Sequence, residues 1–126
     1  MQTLTRYEFG DTGIFQAMSL LYDMELSQRE VISLVQTDNQ FNDLLNVPDI
    51  FDQHESVYSF FTPKGLDYFN KPLNALLKLY KKAEDIGFGE IKEISIDKSQ
   101  LSIVYEDEFQ VIAQIPLKEL TKIRNN

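Results

Sequence analysis

The feature that most restricts the fold is a change in the spacing of apolar residues near Gly89. Upstream they recur every three or four positions, as an amphipathic helix requires; downstream they alternate, as a half-buried strand requires. Ile94 and Ile96 alternate with Glu93 and Ser95, Leu101, Ile103 and Tyr105 with Ser102, and Phe109, Val111, Ala113 and Ile115 with Gln110 and Gln114, and the connections DKSQ and EDE are short. This spacing predicts a three-stranded antiparallel meander. Pro116 ends its last strand, and Leu117, Leu120 and Ile123 suit a short closing helix.

Ahead of the switch the pattern is mainly helical. After an extended start over residues 4–9, Asp11 or Thr12 is placed to cap a helix over 13–24, with Ile14, Ala17, Met18, Leu21 and Tyr22 on one face. Ser27 and Glu30 have the spacing of a capping box, in which each side chain satisfies a free backbone N–H of the other residue. A second helix therefore begins near Gln28 and is expected to bury Val31, Leu34 and Val35, then to continue or restart before Phe41, Leu44 and Leu45. SVYSFFT reads as a short strand or extended segment, and Thr62 followed by Pro63 opens another helical stretch. Pro72 divides that stretch and starts a helix over 72–86, with Leu73, Leu76, Leu77 and Tyr80 inward and Lys78, Lys81, Lys82 and Asp85 outward. Gly87 is its expected stop. The predicted fold is α+β in a single domain, 1–126. A helical N-terminal two-thirds packs on one face of a C-terminal three-stranded antiparallel meander, followed by the closing helix.

With 126 residues, 43% hydrophobic and 12% aromatic, the chain can bury one substantial core. It has no cysteine, which removes disulfides, thiolate metal sites and cysteine nucleophiles. No segment approaches the roughly 20 apolar residues of a membrane span, and no signal-peptide pattern is present, so a cytoplasmic location without membrane contact is expected.

The reactive side chains concentrate in NVPDIFDQHES, residues 46–56, where the single histidine, His54, lies within five positions of Asp49, Asp52 and Glu55. The spacing matches neither HExxH nor an EF-hand loop, and one connecting segment rarely supplies about four converging ligands. No GxSxG setting surrounds a serine, and GFGE lacks the length and the Lys-Ser/Thr ending of a phosphate loop. No catalytic residue, metal or cofactor is expected. Residues 26–45 have the outline of a helix-turn-helix, but the would-be reading helix carries Asp38, Asn39, Gln40, Asn42 and Asp43 without one cation, so it cannot neutralise phosphates. Direct nucleic-acid binding is not expected.

Charge placement carries the functional expectation. The net charge is -8, and up to Pro63 ten acids face only Arg6 and Arg29, whereas from Lys64 onward ten acids face ten bases. A non-enzymatic acidic protein is expected, docking its helical half through Asp23, Glu25, Glu30, Asp38, Asp43, Asp49, Asp52 and Glu55 on a basic protein surface. Carboxylates spaced along helices can stand where phosphates would, which suits a DNA- or RNA-handling partner and an inhibitor or adaptor of mobile-element type acting as a nucleic-acid mimic. The alternative is a regulatory or immunity-type protein-binding module that uses the Lys-bearing helix or a sheet edge.

Overall fold

A computed structural model of the chain describes residues 2–45 and 56–125. Its strands are β1 (Thr3–Phe9), β2 (Thr12–Gly13), β3 (Val57–Phe61), β4 (Ile91–Asp97), β5 (Ser102–Glu106) and β6 (Gln110–Gln114). Its helices are α1 (Met18–Asp23), α2 (Gln28–Leu44), α3 (Pro63–Tyr68), α4 (Asn70–Asp85) and α5 (Leu117–Arg124). The strands form one six-stranded antiparallel sheet of order β2-β1-β3-β6-β5, with β4 also paired to β1.

This architecture corrects the predicted layout: strands and helices interleave along the whole chain, and the sheet is not confined to a C-terminal three-stranded meander. Within the supposed meander β5 and β6 do pair, but β4 leaves them and joins β1, framed by Lys98 N–H to Gln2 carbonyl and Gly10 N–H to Glu90 carbonyl hydrogen bonds. The vacant edge of β6 is taken by β3, in register from Val57↔Gln114 to Phe61↔Gln110. The reason lies in burial. β6 is buried from Gln110 to Ala113 without alternation, so the backbone N–H and C=O groups along both of its edges are shielded from water and need partners. β1 is similar: six of its seven residues are at least partly buried, including the charged Arg6 and Glu8, and that mixture hides its strand character in the sequence.

By Cα proximity the described residues divide into two compact units, residues 2–6, 56–68 and 93–125, and residues 7–45 and 69–92. The first holds a core of Leu4, Phe60, Val111, Ala113, Ile115 and Leu120, with Tyr58, Ile96 and Ile103 packed against it. Arg6 lies over the Tyr58 ring, 5.2 Å from its centroid, and donates to the Ser59 carbonyl at 3.1 Å, so its charge is stacked and hydrogen-bonded rather than stranded. Thr62 caps α3 by accepting from Gly65 N–H at 2.9 Å, with Pro63 in the first helical position as expected. A β-carbon on Gly65 would lie 2.0 Å from the Phe109 carbonyl oxygen, so the helix can approach that backbone only with glycine there.

The second unit contains α1, α2 and α4. Its helix α1 starts five residues later than predicted, because Gly10 and Asp11 adopt positive φ angles of 58° and 63° and form a two-residue hairpin loop joining Phe9 to Thr12. Two successive left-handed residues are what a type I′ hairpin needs, and this use of the segment outcompetes the capping role assigned to Asp11 or Thr12. Helix α2 has the expected capping box and runs unbroken through Thr37. Helix α4 begins two residues before Pro72, which sits harmlessly in the first turn. It ends in a Schellman arrangement, with Gly87 at φ 89°, Gly87 N–H on the Glu84 carbonyl and Phe88 N–H on the Ala83 carbonyl. Phe9 and Tyr80 (5.1 Å), Phe15 and Phe41 (4.9 Å), and Phe41 and Phe69 (5.3 Å) pack as ring pairs in this core. The Tyr80 hydroxyl donates to the Ile14 carbonyl, and burial raises its pKa well above the usual tyrosine value.

Candidate functional site

The residues that distinguish this surface lie on α2 and α4, which pack along one another. Helix α2 turns Leu34, Thr37 and Phe41 inward at i, i+3 and i+7, a stripe about one side chain wide. Val31, Ile32 and Val35 fall outside it and are 42%, 51% and 40% exposed, although the sequence pattern predicted Val31 and Val35 to be buried. An apolar spacing says which residues can share a face, but the width of the covered face is set by the neighbour that packs on it. Asp38, half-buried, lies on the same side of the helix as Val31 and Val35, at i+7 and i+3 from them. Its carboxylate accepts from the Tyr22 hydroxyl at 2.8 Å and from Asn42 Nδ2 at 3.2 Å.

The opposite flank of the exposed surface of α2 faces a cleft of about 490 Å³ shared with α4. Arg29 and Ser33 come from α2, and Lys71, Asn74 and Lys78 come from α4 at i, i+3 and i+7. Ala75 and Leu79 lie deeper, and Asn70 Oδ1 accepts from Asn74 Nδ2 at 2.9 Å. Glu30 also lines the cleft, but it is neutralised: its Oε1 accepts from Ser27 N–H at 2.9 Å and from Lys82 Nζ at 2.8 Å. The Lys82 hydrogen bond, with the backbone bond from Ser27, holds the Glu30 pKa down at about 2. Arg29, Lys71 and Lys78 have no ion-pair or hydrogen-bond partner among the described residues, so they set the sign of the cleft.

The lysines that the sequence placed together on one wet helix face therefore divide. Lys81 pairs with Glu84 at 2.6 Å and Asp85 at 3.6 Å, Lys82 pairs with Glu30, and Lys78 is left facing the cleft. The acids divide as well. Glu30 and Asp38 are committed within the fold, whereas Asp23 at the end of α1, Glu25 in the connection to α2, and Asp43 in its last turn are exposed and carry no such bond among the described residues. Asp49, Asp52, Glu55 and His54 lie outside the described residues. Spacing in the sequence does not mark Arg29 or Ser33 as members of a site. Lys71, Asn74 and Lys78 could have been found from their helical repeat, but the contribution of Arg29 and Ser33 depends on how α2 lies against α4.

Among the described residues, no three His, Cys, Asp or Glu side chains stand close enough together to hold a metal ion, and no helix is long and apolar enough to cross a membrane. Comparison with known proteins finds no matching family model, and no significant match among curated proteins or solved structures.

Proposed function

We propose that the chain is a non-enzymatic protein-binding module that docks on its partner through the α2–α4 face. The observation that carries this reading is the exposed row Val31, Ile32 and Val35 on a helix whose inward face is already filled by Leu34, Thr37 and Phe41. Three aliphatic side chains left in water on one helix are a cost that association removes, and central apolar contacts with a polar rim are how protein interfaces are built. The unpaired cations of the neighbouring cleft supply that rim on one side. This favours the module that uses the Lys-bearing helix over the acidic half as the principal contact.

A second reading retains the acids as the contact with a basic, nucleic-acid-handling surface, and it is favoured by Asp23, Glu25 and Asp43, which are exposed without partners among the described residues. The two readings predict opposite results in one experiment. The partner that co-purifies with the wild-type chain is titrated against Val31→Ser/Ile32→Ser/Val35→Ser and against Asp23→Asn/Glu25→Gln/Asp43→Asn. Loss of affinity in the apolar variant alone supports docking through α2–α4. Loss in the acidic variant alone, with competition by nucleic acid, supports the mimic.

A further inference from the structure

We propose that the α2–α4 cleft receives an acidic, extended peptide segment of the partner, with carboxylates about three residues apart. The inference rests on the α2–α4 face being the docking surface, and it identifies what the basic flank of that face binds. Its first support is the sign of the charge. In a chain of net charge -8, the cleft gathers Arg29, Lys71 and Lys78 without partners among the described residues, while its own acid, Glu30, is cancelled by Lys82. Three exposed cations around one concavity create a local positive potential that attracts an anionic ligand, although the molecule as a whole is acidic.

Spacing then selects the kind of anion. Lys71 and Lys78 are two turns apart on α4, so their Cα atoms are separated by roughly 10 Å along the axis, at about 1.5 Å per residue. A single phosphate group is much smaller than this separation, whereas a chain extended in the polyproline II conformation, with three residues per turn and a rise of about 3.1 Å per residue, returns side chains three positions apart to the same face after about 9 Å. The cleft, of about 490 Å³, is open and large enough for several residues rather than one group. Between the two lysines, Asn74 offers an amide and Ser33 a hydroxyl, which suit the backbone polar groups of such a segment. Nucleic acid is the poorer occupant, because a duplex or single strand would bring many phosphates toward the rest of an acidic molecule.

The test is a fluorescence titration of the full chain with a short labelled peptide carrying glutamate at every third position and glycine or serine between. The same peptide with glutamine serves as the uncharged control. Binding of the glutamate peptide is expected to weaken roughly tenfold or more in Lys71→Gln/Lys78→Gln and with rising salt, while the control Lys118→Gln/Lys122→Gln on α5 leaves it unchanged. Amide shifts at Ser33, Asn70 and Asn74 should accompany binding. The inference is overturned if the glutamate peptide binds no better than the glutamine peptide, or if the cleft and control variants behave alike. It is also overturned if inorganic phosphate alone produces the same amide shifts at equal concentration, which would make the cleft a small-anion site. Self-association of the free chain, abolished by the cleft variant, would make a second copy the occupant and would likewise overturn it. Failure of this inference is separable from failure of the docking face. A partner that is lost on changing Val31, Ile32 and Val35 but kept on changing Lys71 and Lys78 leaves the face standing and removes the acidic segment.

Discussion

Glu30 closes the capping box and takes the ammonium of Lys82, so one carboxylate fixes the start of α2 and its position against α4. Because its folded pKa lies below the ordinary glutamate value of 4.5, the stabilisation is present at neutral pH and is lost as pH falls from that value through about 2. Glu30→Gln is therefore expected to lower Tm at pH 7, and the gap to wild type should close on acidification through this window. A gap independent of pH would mean that the carboxylate charge plays no part. Removing the other half of the cap, by Ser27→Ala, should cost roughly 1 kcal/mol in chemical denaturation. Gly65 is constrained differently: its φ is not left-handed, but an added β-carbon meets the Phe109 backbone at 2.0 Å. Gly65→Ala should cost about 1–3 kcal/mol or more by overpacking, because backbone cannot swing aside as a flexible side chain can. Gly87→Ala strains the left-handed stop of α4 instead, with nothing within 4 Å of the new carbon.

At the scale of elements, α2 carries the sharpest contrast. Leu34 and Val35 are neighbours in sequence, yet Leu34 is fully buried and Val35 is 40% exposed. Leu34→Ala should destabilise by roughly 2–5 kcal/mol, as truncation of buried leucines does. Val35→Ser should lie within about 0.5 kcal/mol of wild type, as surface changes usually do. Equal losses in the two variants would place Val35 in the core and remove the exposed row from which the docking proposal starts. The strands make a related point. β5 pairs with β6 across a bulge between Ile103 and Tyr105, so the alternation that identified the strand is broken inside it. β4 has as clear an apolar period as β5, yet it pairs with the first strand of the chain. Periodicity identifies a strand without naming its partner, since any edge of matching burial can supply the hydrogen bonds.

For the whole molecule, the acid excess of the first half is a property of the sequence, but its availability is a property of the fold. Raising salt should weaken partner association whether the exposed acids or the cleft cations make the contact, so salt alone does not separate those two. Their charge variants do: Lys71→Gln/Lys78→Gln should reduce affinity and leave Tm nearly unchanged if the cleft is the contact, because exposed charges contribute little to folding. The sequence by itself determined the helical or extended character of most segments, the Ser27–Glu30 cap, the start at Pro63 and the stop at Gly87, because each depends on residues within a few positions of one another. Tertiary structure decided that β4 joins β1, that β3 occupies the edge of β6, that Val31 and Val35 remain outside, and that Arg29 shares a cleft with Lys71 and Lys78. Each of these joins residues far apart in the chain or depends on how much of a helix its neighbour covers. Local spacing carries no term for either, because the free energy of burial depends on which distant surfaces meet.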